Sequence, residues 1–338
     1  MTNTNQHSEL SSDRALEQLL RQVPPRPAPP ESDAASVRSA VHAEWRNMSG
    51  KRRTRRLLTT FALAATVLLA VGVTINTLRV PSAVPVTVAT IDKSIGSLYL
   101  LGEQSELQET HDLSALTVGQ TILTGHGSSV GLLWSAGGSL RIDEDTRIEF
   151  IARDAIVLLS GRVYFDSQPS ELSAGIMAGT AASFEIRTEQ GVVSHVGTQF
   201  MTRVDAISLW VSVREGQVLI DGLTYRETAD KGERINFSGG GRPEVVNISR
   251  HGDAWNWAEA VAPSADVDKR TVHEFLTWVS RETGLQLHYK DATAESAAHR
   301  DTLTGTVRIP PRDALDFWSP TVGVNWRIEG GTIVVSKR

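Results

Sequence analysis

Apolar residues recur along this chain with changing periods, and the changes divide it into segments. Within residues 1–56, Leu16, Leu19, Leu20 and Val23 stand at i, i+3, i+4, i+7, and Val37, Val41, Trp45 and Met48 form a second stripe beyond PPRPAPP, Pro24 to Pro30. Each stripe predicts a short amphipathic helix, the second stopping at Ser49-Gly50. Helices this short bury no core alone, so the arm reads either as a loose membrane-proximal segment or as a surface that orders on a partner. Residues 57–78, LLTTFALAATVLLAVGVTINTL, then run for about 22 positions without a charge, close to the ~20 that cross a bilayer core. KRRTRR, Lys51 to Arg56, stands just before this span and only Arg79 just after it. By the positive-inside rule the N-terminus is expected in the cytoplasm and everything past Arg79 outside. A cleaved signal peptide would begin nearer residue 1.

A Pro-interrupted linker, 79–90, follows, and then the period becomes two. Leu140 and Ile142, Ile148 and Phe150, Val163 and Phe165, Phe184 and Ile186, Leu209, Val211 and Val213, and Val218 and Ile220 alternate with polar or small residues, with Gly-rich turns such as SAGGS between runs. Many short strands at this spacing predict an all-β domain over 91–240, a sandwich, barrel or solenoid. HGDAWNWAEAVAPSA marks a helical or loop connector within 241–268. Over 269–338 the spacing of Val272, Phe275, Leu276 and Val279 predicts a helix ending at Thr283-Gly284. After it come a strand at LQLHY, a strand at DTLTGTVRI, a helix opened by Pro310-Pro311 and a hairpin turning at Gly330-Gly331. That order is a small α+β domain.

Composition removes several kinds of chemistry. The 338 residues hold 40% hydrophobic and 22% charged side chains and no cysteine, so disulfides, thiolate metal sites and thiol nucleophiles are excluded. The net charge of −5 divides into roughly +4 before residue 57 and about −9 after it, which argues against direct nucleic-acid binding by the larger part. No HExxH or P-loop occurs, so metalloprotease and nucleotide chemistry lack their residues, and no enzyme and no cofactor are expected. DEDT, Asp143 to Thr146, lacks the oxygen spacing of a calcium loop and reads as a solvated turn; no metal site is predicted. Asp253, Glu259 and Asp266 show no pairing readable from the sequence.

GSLRIDEDTRIEF, LLSGRVYFD, SFEIRTEQGVVSHVGTQF and VSVREGQVLI, spread over 138–220, resemble in order and spacing the signatures of FecR-type transmembrane sensors. GTVRIPPRDALDFW is similar to the STN domain that secretins and TonB-dependent transducers share. The resemblance implies an inner-membrane, single-pass anti-sigma factor or sigma regulator with a periplasmic all-β FecR-type domain followed by an STN-like domain. An outer-membrane TonB-dependent transporter of iron chelates would dock on the C-terminal part through exposed strand edges, and the arm would hold an extracytoplasmic-function sigma factor. The arm departs from the family, whose cytoplasmic part is a longer helical domain with spaced tryptophans. The alternative from another class is a membrane-anchored periplasmic scaffold or polysaccharide-binding β-domain with no sigma partner.

The resemblance also implies a one-time self-cleavage between Gly197 and Thr198, in which the threonine hydroxyl attacks the preceding carbonyl; the competing reading is a glycine bulge with a threonine filling the sheet. A regular strand would set Val192, Val196, Thr198, Phe200 and Val204 on one face and His195, Gly197 and Gln199 on the other, separating His195 from Thr198 unless a bulge at Gly197 turns the register.

Overall fold

A computed structural model describes residues 17, 21, 30–44, 86–102, 106–110, 113–167, 172, 184–222, 225–238, 241–318 and 322–338. The chain forms two compact units, Met1–Pro81 and Ser82–Arg338. In the first, residues 31–44 form helix α1, whose opening turn closes through the Asp33 and Ala34 amides on the Pro30 carbonyl. Val37 and Val41 of the second stripe are both exposed on it. Trp45, Met48, the first stripe and the apolar span 57–78 lie outside the described residues, and no described helix is long and apolar enough to cross a membrane.

The second unit opens with a 15-stranded sheet. Its strands are β1 (Thr87–Ile95), β2 (Leu98–Leu101), β3 (Leu107–Glu109), β4 (Ala115–Thr117), β5 (Thr121–Thr124), β6 (Ser129–Trp134), β7 (Ser139–Ile142), β8 (Arg147–Ala152), β9 (Ala155–Asp166), β10 (Glu185–Thr188), β11 (Gly191–Val204), β12 (Ser208–Gly222), β13 (Arg226–Asp230), β14 (Glu233–Ser238) and β15 (Glu244–Asn247). The long strands β9, β11 and β12 change partners midway. The first part of β9 pairs with β8 and β10, and the rest with β7 and β11. β11 moves from β10 to β9, and β12 from β14 to β13. Each change falls at a glycine with positive φ: Gly161 at 90°, Gly197 at 60° and Gly216 at 78°. Only glycine takes that backbone without strain, so the sheet bends there.

Two half-sheets result, β3-β2-β5-β8-β9-β10-β11-β12-β13 and β4-β1-β6-β7-β9-β11-β12-β14-β15, a sandwich-like arrangement. Every alternating apolar residue named above lies in the single core between them. Each such side chain contributes about 1.5–3 kcal/mol on burial. Phe165 and Phe184 stack at 4.0 Å, and Trp134 meets Phe184 edge-on at 4.9 Å.

The sheet is longer at both ends than its sequence pattern suggests. β1 begins at Thr87, inside the segment read as linker, because Val88 and Ala89 are buried between β4 and β6. β15 lies inside the segment read as connector; it is a short edge strand with an exposed Val245 and so has no apolar alternation to reveal it.

The C-terminal part carries α2 (Asp253–Ala260), β16 (Ala265–Asp266), α3 (Val272–Thr283), β17 (Gln286–Tyr289), α4 (Ala292–Arg300), β18 (Thr306–Val307), α5 (Pro311–Trp318), β19 (Val324–Glu329) and β20 (Thr332–Lys337). A capping box starts α3: Thr271 Oγ1 accepts the Glu274 amide while the Glu274 carboxylate accepts the Thr271 amide. Gly284, at φ 71°, ends it. Phe275, Leu276, Trp278, Val279, Ile333 and Val335 form this part's own core beneath the sheet β17-β20-β19. Two expectations are corrected here. The strand expected over DTLTGTVRI shrinks to Thr306–Val307, with the positive-φ Gly305 before it and prolines after. Helix α4, at ATAESAAHR, was not expected, since its buried face consists of Ala294, Ala297 and Ala298 and offers no large apolar stripe.

Candidate functional site

Alternation in the second half-sheet sends Leu140, Val163, Phe165, Phe200 and Val213 into the core and turns Arg141, Tyr164, Gln199 and Arg214 to the outer face, yet these four are buried as well. Helices α2 and α3 cover them. Arg141, fully buried, donates from Nη1 to the Ala258 carbonyl at 3.0 Å and from Nη2 to Glu282 Oε2 at 2.5 Å. Arg214 donates to the Glu282 carbonyl at 2.7 Å, and its Nη2 lies 3.5 Å from Glu259 Oε1. Arg312 holds the other oxygen of Glu259 at 2.7 Å. Arg281 holds Asp166 at 2.5 Å. The Arg141 and Arg214 guanidiniums lie 4.7 and 5.5 Å from the Tyr164 ring centre, and Arg214 lies 4.5 Å from that of Trp255. Burial raises the Tyr164 pKa to about 12 against the pull of both arginines, so the phenol stays neutral. Charges taken this far out of water are tolerated only because each meets an opposite charge or a carbonyl, and removing one partner strands the other. The seam between sheet and helices is therefore an electrostatic lock.

The Gly197-Thr198 bond lies at this seam. Pairing of β11 with β12 runs to Val196↔Gln217 and resumes at Gln199↔Glu215, leaving Gly197 and Thr198 in a bulge opposite Gly216. A Cβ on Gly216 would sit 2.6 Å from the Gly197 oxygen and 2.7 Å from Thr198 Cγ2, so the close approach requires glycine there. The Thr198 amide donates to Ser167 Oγ at 2.8 Å, and the Thr198 carbonyl accepts the Ser167 amide at 3.1 Å and hydroxyl at 3.2 Å. Thr198 Oγ1 is buried with no hydrogen-bond partner. The next residue, Gln199, donates to Asp166 Oδ2 at 2.9 Å and lies 3.4 Å from the Arg281 carbonyl, which joins the bulge to the lock. Beyond Ser167 the chain reaches the C-terminal core at Leu172, whose carbonyl accepts the Asp266 amide at 2.7 Å.

The bulge corrects the parity of a regular strand. Val193 and His195 are buried before Gly197, and Phe200, Thr202 and Val204 after it, while Val192 is half-buried. His195 thus shares the core with Phe200, ring centres 5.8 Å apart, and with Phe165 at 5.2 Å. Neither of its ring nitrogens has a partner, and burial holds its pKa down to about 4, the nearby Asp166 opposing weakly. The imidazole is neutral at ordinary pH and makes no hydrogen bond to Thr198. Sequence reasoning missed the lock altogether. Glu259, which showed no readable pairing, bridges Arg214 and Arg312. At the DEDT turn, Glu144 and Asp145 each approach His126 Nδ1 to 3.2 Å, all three residues being exposed.

Residues 120–219 match the model of the family described as FecR protein. Two crystal structures of a candidate anti-sigma factor from Parabacteroides distasonis, at 2.50 and 1.65 Å resolution, are similar to this chain at 18% identity and a TM-score of 0.32. Each alignment covers 64% of this chain, and 98% and 99% of theirs, a likeness too slight to carry a functional argument. No curated protein sequence is significantly similar. The three glycine corners of the bent sheet fall within the matched residues, so this part of the sheet is a FecR domain.

Proposed function

We propose that this protein is a single-pass signalling regulator of the inner membrane, with its N-terminus in the cytoplasm and its C-terminus in the periplasm, that conveys the state of a TonB-dependent iron-chelate transporter to an extracytoplasmic-function sigma factor. The FecR match over 120–219 carries the reading. The uncharged stretch 57–78 with its basic flank supports the topology. In the arm, α1 exposes Val37 and Val41 on one helical face, as a surface for a sigma factor requires. In the C-terminal part β19 ends its sheet, an edge to which a transporter's signalling domain could add a strand. A push there would pass through α3 and the arginine-carboxylate lock to the FecR domain. Affinity capture with residues 1–56 against co-encoded sigma factors tests the reading: retention of one supports it, and retention of none sinks it.

Within this reading Gly197-Thr198 is a one-time processing point. Thr198 Oγ attacks the Gly197 carbonyl carbon, the hydroxyl proton passes to the amide nitrogen and the C–N bond breaks, leaving an ester and a free Thr198 amine. Water then opens the ester to a Gly197 carboxylate and restores the hydroxyl. The buried, unpartnered Thr198 hydroxyl and the positive φ of Gly197 support it. Mass spectrometry of protein from signalling cells should find a fragment beginning at Thr198, absent from Thr198→Ala; intact chain alone would end this part of the proposal.

A further inference from the structure

One side of the seam opens into a cleft of about 520 Å³, within the range that holds small ligands. Its walls come from both parts of the unit: Gln199, Arg214 and Glu215 from the sheet, Thr277 and Arg281 from α3, and Arg250 from the stretch before α2. Among the described residues that line it are three arginines and one carboxylate, Glu215, already shared between Arg250 at 3.1 Å and Lys231 at 3.2 Å.

Two donors at this cleft are unused. Arg214 is 1% exposed, and although its Nη1 is held by the Glu282 carbonyl, its Nε has no acceptor. That Nε lies just beneath the cleft wall, 3.2 Å from where a side chain on Gly284 would begin. Position 284 tolerates nothing larger, since a Cβ would fall 2.1 Å from the Arg250 carbonyl oxygen. Arg281 repeats the pattern: Asp166 holds its Nη2, while its Nε is buried without a partner. A buried donor left unpaired costs about 1–3 kcal/mol, and an oxyanion in the cleft would relieve it at both positions. Leu285 and Leu287 form an apolar wall beside them.

We propose that this cleft is a binding site for a small organic anion, a carboxylate or phosphate on a short apolar body, seated between β12 and α3. Such a ligand bridges the two elements that the lock holds together, and it touches Gln199, the neighbour of Thr198. Occupancy stabilises the docked C-terminal part and reports on the same bond that processing would break. The site stands on the cleft's own chemistry and does not depend on a sigma factor or a transporter.

The test is thermal unfolding of the full-length protein in detergent, followed by tryptophan fluorescence during titration with sodium succinate and with inorganic phosphate. Neutral succinamide and sodium chloride at matched ionic strength are the controls. The midpoint should rise and saturate with succinate, with phosphate or with both, and with neither control. Saturation by phosphate alone assigns a phosphoryl ligand, and by succinate alone a carboxylate. Thr277→Glu and Gln286→Glu, exposed lining positions whose change leaves the core intact, should each weaken the response about tenfold or more by charge repulsion. Arg281→Lys, which keeps the cation but loses the Nε donor, should weaken it too. No saturable shift with either anion, an equal shift with chloride, or an undiminished shift in either glutamate variant would overturn the assignment.

Discussion

Replacing Arg141 by methionine tests the lock at its most buried point. Arg141 and Glu282 are both fully buried, paired at 2.5 Å, and come from β7 and α3. Glu282 Oε1 has no donor, so Arg141→Met leaves the carboxylate with no hydrogen bond at either oxygen. Breaking such a pair from one side costs about 3–5 kcal/mol, and Glu282→Leu should cost a similar amount by stranding the arginine. The double variant Arg141→Met/Glu282→Leu removes both charges. It keeps only the smaller losses, the Ala258 carbonyl without its donor and the cation over Tyr164, together about 1–2 kcal/mol. The double variant should therefore be more stable than either single one. Urea denaturation of residues 82–338, followed through the buried Trp255 and Trp278, measures all four proteins. Additive losses, or single variants within about 1 kcal/mol of the parent, would refute the reasoning.

His195 makes a pH prediction. Burial lowers its pKa from 6.5 to about 4, so across that window the unfolded chain binds more protons and stability falls as pH drops, by about 3 kcal/mol in full. His195→Leu should remove that part of the acid sensitivity; denaturation at pH 4.5 and 7 shows whether the slope flattens. Gly216→Ala forces a side chain against the Gly197 oxygen at a φ of 78°, and a loss of roughly 2–3 kcal/mol is expected in the same assay. Thr271→Ala removes the capping box of α3 and should cost about 1 kcal/mol, whereas Thr271→Ser should keep most of it.

The core was legible because its strands alternate: Leu140 with Ile142 and Leu209 with Val211 mark an inner face that the fold uses as read. The bends were not. A glycine such as Gly161 or Gly216 looks like any turn residue until the partners on either side are known, and at Gly197 the bulge reverses the parity on which the placement of His195 rested. Helix α4 had one usable signal, Asp291, whose carboxylate caps the amides of Thr293 and Ala294, but an alanine face carries no periodicity in large side chains. The lock was hidden for a different reason. Arg141, Arg214, Glu259 and Glu282 occupy the polar positions of amphipathic patterns, which predict solvent, and only the docking of α2 and α3 onto the sheet takes them out of water.

The most direct measurement of the proposed role is transcription from promoters of the co-encoded sigma factor in cells with and without this protein. Deletion should change that output, and the full chain should restore it where a chain lacking residues 1–56 does not. Output indifferent to deletion, or restored equally by the armless chain, would contradict the account.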